Sequence, residues 1–181
     1  RTLFARLLDY APPGTPPAYG IGEASFGEPG VAVKPPSLLF LHGSAQARKC
    51  WSQERWSALC GHAAAAGFEV LLPWGDASER NRAEWLSRRH QGVVVLPRLS
   101  LAQLAALMQR VRAVVAVDTG LGHLAAALAR PCVSLYGPTR VELIGTRGDH
   151  QRHIVAARGA MSSIEPGQVW QELGNLLAPV R

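Results

Sequence analysis

Val117-Asp118-Thr119-Gly120-Leu121-Gly122-His123-Leu124, followed by Ser134-Leu135-Tyr136-Gly137-Pro138-Thr139, reads as a buried strand, a glycine turn and a helix start, then a second strand ending in another turn. A helix N-terminus just beyond a strand carries unpaired backbone N–H groups and a partial positive charge, which favour a phosphate or diphosphate. Gly120 and Gly122 permit close approach of a ligand to the backbone. The stretch therefore implies an α/β sheet whose strand ends hold a nucleotide-type ligand.

The same alternation extends outward. Short apolar runs at 37–42, 68–73, 93–96, 113–117, 132–136 and 153–156 predict buried strands, and helical patterns occupy 53–66, 79–90, 101–111, 121–129 and 166–178. Ser100 with Gln103, and Asp76 with Glu79, have the spacing of capping boxes at two helix starts. Continuous apolar strands alternating with helices imply a Rossmann-like parallel sheet covered on both faces. Right-handed crossovers then gather the loops after the strands along one edge, where such sheets bind ligands. Upstream, Leu3, Phe4, Leu7 and Leu8 give residues 1–10 a short amphipathic helix, and from Ala11 to about Pro36 proline and glycine dominate. The expected division is a helix and linker over 1–36 and the sheet domain over 37–181.

Composition narrows the function classes. The 181 residues are 48% hydrophobic and 18% charged, which suits one globular domain with length to spare for a linker. No apolar run reaches the ~20 residues of a membrane span, and the start lacks the organisation of a signal peptide. Cys50, Cys60 and Cys132 are odd in number and unpaired in spacing, so neither a disulfide framework nor a zinc site is expected, and a reducing cytoplasm fits. The net charge of +6 comes from scattered arginine and favours anionic ligands or an anionic membrane surface. Aromatic residues make up only 7% and show no basic-stripe organisation, so no nucleic-acid partner is expected.

The strand-end loops hold the candidate residues. In His42-Gly43-Ser44-Ala45, leading to Lys49 and Trp51, Ser44 can donate a hydrogen bond and Lys49 can place a cation against a phosphate. Glu79, after Pro73-Trp74-Gly75, can accept from two ribose hydroxyls, although helix capping with Asp76 accounts for it equally well. Leu99 offers an apolar surface beside the Ser100 cap, suited to a base or to the core. Thr119 can cap the following helix through its own hydroxyl, and His123 lies on the first helical turn. Asp118, Thr119, Gly120, Leu121 and His123 at one strand end form a candidate site; His62, His90, His150 and His153 have no such company.

Three functions compete for this pattern. Gly120-Leu121-Gly122-His123-Leu124-Ala125 has the form of a dinucleotide fingerprint, but it occurs late in the sheet and the next strand ends in Tyr136-Gly137, without the expected ribose carboxylate. That disfavours an NAD-dependent enzyme. An α/β-hydrolase is disfavoured further, because no G-x-S-x-G elbow exists. The third is a domain holding a nucleotide sugar for glycosyl transfer, and a nucleotide-binding module without catalysis stands beside it.

Leu41-His42-Gly43-Ser44 with Lys49 and Trp51, Leu72-Pro73-Trp74-Gly75 with Glu79, Leu96-Pro97-Arg98, Val117 to Leu124, and Leu135 to Thr139 with Leu143-Ile144-Gly145 occur in this order along the chain. Together they resemble the lipopolysaccharide heptosyltransferases of glycosyltransferase family 9. The resemblance implies a GT-B architecture of two Rossmann-like domains, of which this sequence matches the linker and the C-terminal, donor-binding half. It implies an inverting transfer of L-glycero-D-manno-heptose from ADP-heptose to Kdo of the lipopolysaccharide inner core. The catalytic base is expected in an N-terminal domain absent here, with no catalytic residue in this chain and no activity of this polypeptide alone.

By the same resemblance, Ser44, Lys49, Thr119 and the N–H groups of Gly120 and Leu121 face the diphosphate, Glu79 the ribose and Leu99 the adenine. Asp118 and His123 match residues near the heptose or diphosphate. Ala45 stands where the family usually has a second hydroxyl. With no D-x-D pair, neither a metal nor another cofactor is expected. The Kdo–lipid A acceptor is expected to reach the enzyme through the missing domain, and the basic surplus to support peripheral contact with the cytoplasmic face of the inner membrane.

Overall fold

A computed structural model of the chain describes residues 2–11, 14 and 19–178, apart from the side chains of residues 2–4. In order, its elements are helix α1 (Thr2–Leu7), strand β1 (Ser37–Leu41), a 3-10 turn (Ala47–Lys49), α2 (Gln53–Ala65), β2 (Glu69–Leu72), α3 (Ala77–Ser87), β3 (Val93–Val95) and α4 (Leu101–Met108). Then follow β4 (Ala113–Val117), α5 (Gly120–Ala127), β5 (Cys132–Tyr136), α6 (Val141–Ile144), β6 (Gln151–Val155), two 3-10 turns (Ala157–Gly159, Met161–Ser163) and α7 (Pro166–Leu177).

The strands form one parallel sheet in the order β3-β2-β1-β4-β5-β6. Central β1 and β4 are buried along their whole lengths, which is why their sequences are apolar apart from Ser37 at the start of β1. Alternate residues serve opposite faces: Leu38 and Phe40 pack with Trp56, Leu59, Leu86 and Val169 under α2, α3 and α7. Leu39 and Leu41 pack with Leu107, Met108 and Ala125 under α4 and α5. Each such leucine, fully buried, contributes roughly 1.5–3 kcal/mol. Trp51 and Trp56 meet edge to face at 5.2 Å, and Phe40 lies 5.5 Å from Trp56, so the heaviest packing sits beneath the loop that leaves β1.

Predicted and observed elements agree to within a few residues, with instructive exceptions. β6 begins at Gln151, two residues before the apolar pattern, because this edge strand buries only one face and opens with a polar residue that donates to the Arg130 carbonyl at 2.9 Å. α6 and the 3-10 turns are too short to show a period. The Ser100–Gln103 box is complete. α1 is present, but its Leu3 and Phe4 side chains lie outside the described residues, as do residues 12, 13 and 15–18 of the Pro/Gly segment and 179–181. Leu7 and Leu8 are exposed.

The described part of the Pro/Gly segment has no regular structure, yet it is anchored. Ile21, Phe26, Val31 and Val33 pack against the core on the α4 side. Gln109 donates to the Ala24 carbonyl at 2.9 Å, and Arg110 pairs with Glu28 at 2.7 Å.

Candidate functional site

β1 lies between β2 and β4, so the chain leaves it in opposite directions and opens a crevice beyond the carboxyl ends of the strands. A cleft of about 280 Å³ occupies that crevice. Leu41 to Ala45 line it after β1, Pro73 to Gly75 and Glu79 after β2, Arg98 and Leu99 after β3 with Leu104 on α4, and Thr119 and Leu121 after β4. Ser44, Glu79, Leu99, Thr119 and Leu121, which the sequence singles out, thus share one cavity. Lys49, Asp118, Gly120 and His123 are not among its walls.

Glu79 binds two loops together. Asp76 caps α3 by accepting from the Glu79 N–H at 2.8 Å, but the return half of the expected box is displaced by one residue: the Glu79 carboxylate accepts from the Gly75 N–H at 2.7 Å. Capping therefore accounts for the Glu79 backbone and leaves its carboxylate in the cleft. Gly43 is needed beside it, because a Cβ at that position would stand 1.7 Å from Glu79 Oε1.

Arg82, one helical turn beyond Glu79 on α3, donates to the His42 carbonyl at 2.9 Å and lies 3.4 Å from His42 Nδ1. His42 is buried, and its Nε2 has no hydrogen-bond partner among the described residues. Burial first, and the Arg82 guanidinium second, lower its pKa to about 4, outweighing the opposite influence of the Pro73 carbonyl and Asp76. The imidazole is accordingly neutral at physiological pH.

Beside the cleft lies a buried polar cluster. Lys49, at the end of the 3-10 turn, places Nζ 2.7 Å from Asp118 Oδ2, with 15% and 6% of the two side chains exposed. Thr139, after β5, donates to the same oxygen at 2.5 Å. Ser44 connects the cluster to the cleft by donating to the Asp118 carbonyl at 3.4 Å. The cation expected at a phosphate is thus held beside the cleft by a carboxylate. Thr119 occupies the N-cap position of α5, but its hydroxyl makes no capping hydrogen bond, contrary to the capping role open to it from sequence. Its side chain belongs to the cleft instead, next to the first N–H groups of the helix. Gly122 lets α5 approach the sheet: a Cβ there would meet Ala116 at 3.5 Å and Ser134 at 3.7 Å.

Several residues in and around the cleft receive no role from the sequence. Trp74 is fixed by a 2.7 Å bond from its indole N–H to the Leu96 carbonyl and is covered by the Arg80 guanidinium at 5.3 Å. Arg98, Leu104 and His42 also line the cleft. Arg82 could have been found from its i, i+3 spacing to Glu79, and Thr139 from its place in a motif already noted; Leu104 carries no such signal. Three of the other histidines have structural partners: His90 with Ser57 at 2.7 Å, His153 with Thr146 at 2.8 Å, and His62 stacked on Trp170. The Gly120–Ala125 fingerprint follows β4, whereas a dinucleotide fingerprint occupies the turn after the first strand; here Gly122 serves helix packing, and a Cβ on Gly120 would meet nothing.

Comparison with known proteins places this geometry. The family model described as glycosyltransferase family 9 (heptosyltransferase) matches residues 1–173. Lipopolysaccharide heptosyltransferase 1 of Pseudomonas aeruginosa is 44% identical over 156 residues, covering 85% of this chain and 43% of its own length. The solved structure of Escherichia coli heptosyltransferase WaaC with ADP superposes with a TM-score of 0.86 at 37% identity, over 97% of this chain and 55% of that one. WaaC with ADP-2-deoxy-2-fluoro heptose gives 0.81 at 36% identity, with 97% and 54% coverage. The chain spans about half the length of the relatives it matches, and the match falls on their C-terminal portion.

Proposed function

The chain belongs to glycosyltransferase family 9, and from that premise we propose that it forms the donor-binding half of an enzyme that moves L-glycero-D-manno-heptose from ADP-heptose to Kdo of the lipopolysaccharide inner core. The observation that carries the reading is the convergence of Ser44, Glu79, Leu99 and Thr119 from four separate loops on one cleft at the switch point of the sheet. The adenine packs on Leu99, and the ribose hydroxyls donate to Glu79. The diphosphate meets Ser44, Thr119 and the N–H groups of Gly120 and Leu121, with Lys49 within reach through its side chain. The heptose lies toward Asp118 and His123.

As the glycosidic bond breaks, charge accumulates on the leaving ADP. Donors fixed by a helix start meet that charge without reorganising, which is where such groups lower a barrier most. A lysine and amide N–H groups supply this stabilisation, so the reading calls for no resident metal or other cofactor. Deprotonation of the acceptor hydroxyl is assigned to a base outside these residues, in the domain that holds the Kdo–lipid A acceptor. Among the described residues no helix is long and apolar enough to cross a membrane. The net charge of +6 supports peripheral attachment to the anionic cytoplasmic leaflet of the inner membrane.

Titration calorimetry with ADP, UDP and NAD tests the reading. Binding of ADP in preference to both others is expected; no heat with ADP, or a preference for NAD, would overturn it.

A further inference from the structure

Asp118 Oδ2 receives two donors, the Lys49 ammonium at 2.7 Å and the Thr139 hydroxyl at 2.5 Å. The carboxylate is nearly enclosed, its side chain 6% exposed. In this arrangement the positive charge of Lys49 is already neutralised. A diphosphate entering beside Ser44 and Thr119 gains a full cation only if Lys49 leaves Asp118, and a buried carboxylate stripped of its donors is strongly disfavoured.

Thr139 answers that difficulty. Its hydroxyl stays on Asp118 Oδ2 when the ammonium turns away, so the carboxylate keeps a hydrogen bond throughout. The loop that carries Thr139 is held tightly. A Cβ on Gly137 would approach Met161 Sδ to 2.8 Å, and one on Gly159, at φ +74°, would approach Pro138 Cα to 3.1 Å. β5, which delivers this loop, runs beside β4, which delivers Asp118, with Val117 opposite Leu135. Hydroxyl and carboxylate are thus set against each other by adjacent strands rather than by mobile side chains.

We propose that Thr139 is a positioning residue for diphosphate recognition: by holding the Asp118 carboxylate it allows Lys49 to be exchanged from that carboxylate to the diphosphate of the ligand. The inference rests on the donor-binding reading above. It makes Thr139 a determinant of affinity for the diphosphate and not for the nucleoside, although it lies outside the cleft walls.

The test compares the protein with its Thr139→Val and Thr139→Ser variants, titrated with ADP and with adenosine. The bond to a carboxylate that has lost its ammonium is worth more than the bond to a neutralised pair, so Thr139→Val should weaken ADP roughly 10-fold. It should leave adenosine within about twofold on the same scale. Thr139→Ser, which restores the hydroxyl, should recover ADP binding. In a Lys49→Met background the valine substitution should cost nothing further, because no cation remains to be exchanged. Unchanged ADP affinity in Thr139→Val, an equal loss of adenosine affinity, no rescue by serine, or full additivity with Lys49→Met would each overturn the inference while leaving the donor-binding reading intact. Failure of the unsubstituted protein to bind ADP would overturn both.

Discussion

Gly43→Ala is a substitution that the fold should tolerate and the site should not. The added Cβ would stand 1.7, 2.2 and 2.9 Å from Oε1, Cδ and Cγ of Glu79, and these are the three atoms it would meet most closely. All belong to the end of a flexible side chain, so Glu79 can swing away. Stability then loses little more than the 2.7 Å bond to the Gly75 N–H, which is exposed. That is ~1 kcal/mol, or ~2–4 °C in melting temperature for a chain of this size. Ligand binding loses the carboxylate itself. A single charge-assisted hydrogen bond from a ribose hydroxyl is worth ~1.5–3 kcal/mol, so ADP should bind roughly 10- to 100-fold more weakly. The double variant identifies the cause: with Glu79→Ala already present, alanine at 43 meets no carboxylate and should add no further loss in calorimetric ADP affinity. Binding by Gly43→Ala equal to that of the unsubstituted protein, or a Gly43→Ala penalty undiminished in the Glu79→Ala background, would refute the reasoning.

Three further outcomes follow from the same geometry. Lys49→Ala should weaken ADP about 10-fold while leaving adenosine nearly unaffected, as titrations of both ligands will show; equal losses would place Lys49 away from the diphosphate. His42 is neutral in the folded protein, with a pKa of about 4. The unfolded imidazole takes up a proton near 6.5, so stability falls as pH drops from about 6.5 to 4, by at most ~1.4 kcal/mol per pH unit from this group. His42→Gln should flatten that part of the melting-temperature profile, and an unchanged slope would contradict the assignment; His90 and His153, lowered in the same direction by burial, keep their share of it. Cys60 and Cys132 are buried with thiols pushed up to about 12, whereas Cys50 is partly exposed with Sγ 3.6 Å from the Ser44 carbonyl. In a native thiol-labelling assay one cysteine should react, and ADP should slow it; labelling of all three, or no protection, would count against this arrangement.

The strands are legible because central parallel strands are buried on both faces, and β1, β4 and β5 are buried along their whole lengths with only Ser37 and Ser134 breaking the apolar runs. β6 was misplaced at its start because an edge strand escapes that requirement. Of the site, the residues within single loops could be read: Ser44 and the Asp118–His123 turn show themselves by local pattern. What could not be read depends on which strands are neighbours. Thr139 reaches Asp118 only because β5 lies beside β4, and Arg82 reaches His42 only because α3 packs across the β1 loop. The pairing of Lys49 with Asp118 is not legible for the same reason: the two lie far apart in sequence and meet because β1 and β4 are neighbours in the sheet.

The groups assembled at this sheet edge divide unevenly between the two halves of a glycosyl transfer. Charge on a departing diphosphate can be met by the Lys49 ammonium, by two hydroxyls and by the start of α5. Removal of a proton from an attacking hydroxyl needs a base near neutrality with an open lone pair, and Asp118, Glu79 and His42 do not supply one. Asp118 is nearly enclosed and keeps the Thr139 hydroxyl on Oδ2, Glu79 is bonded to the Gly75 N–H and assigned to ribose, and His42, with a pKa of about 4, is too weak a base near neutrality. A polypeptide of these residues alone is therefore expected to bind ADP-heptose and transfer nothing. A radiolabelled-heptose assay with a Kdo-bearing acceptor, run at saturating donor, checks it. Label appearing on the acceptor above the rate without protein would mean that a base is present in this half, and the division of labour argued from the geometry would fall.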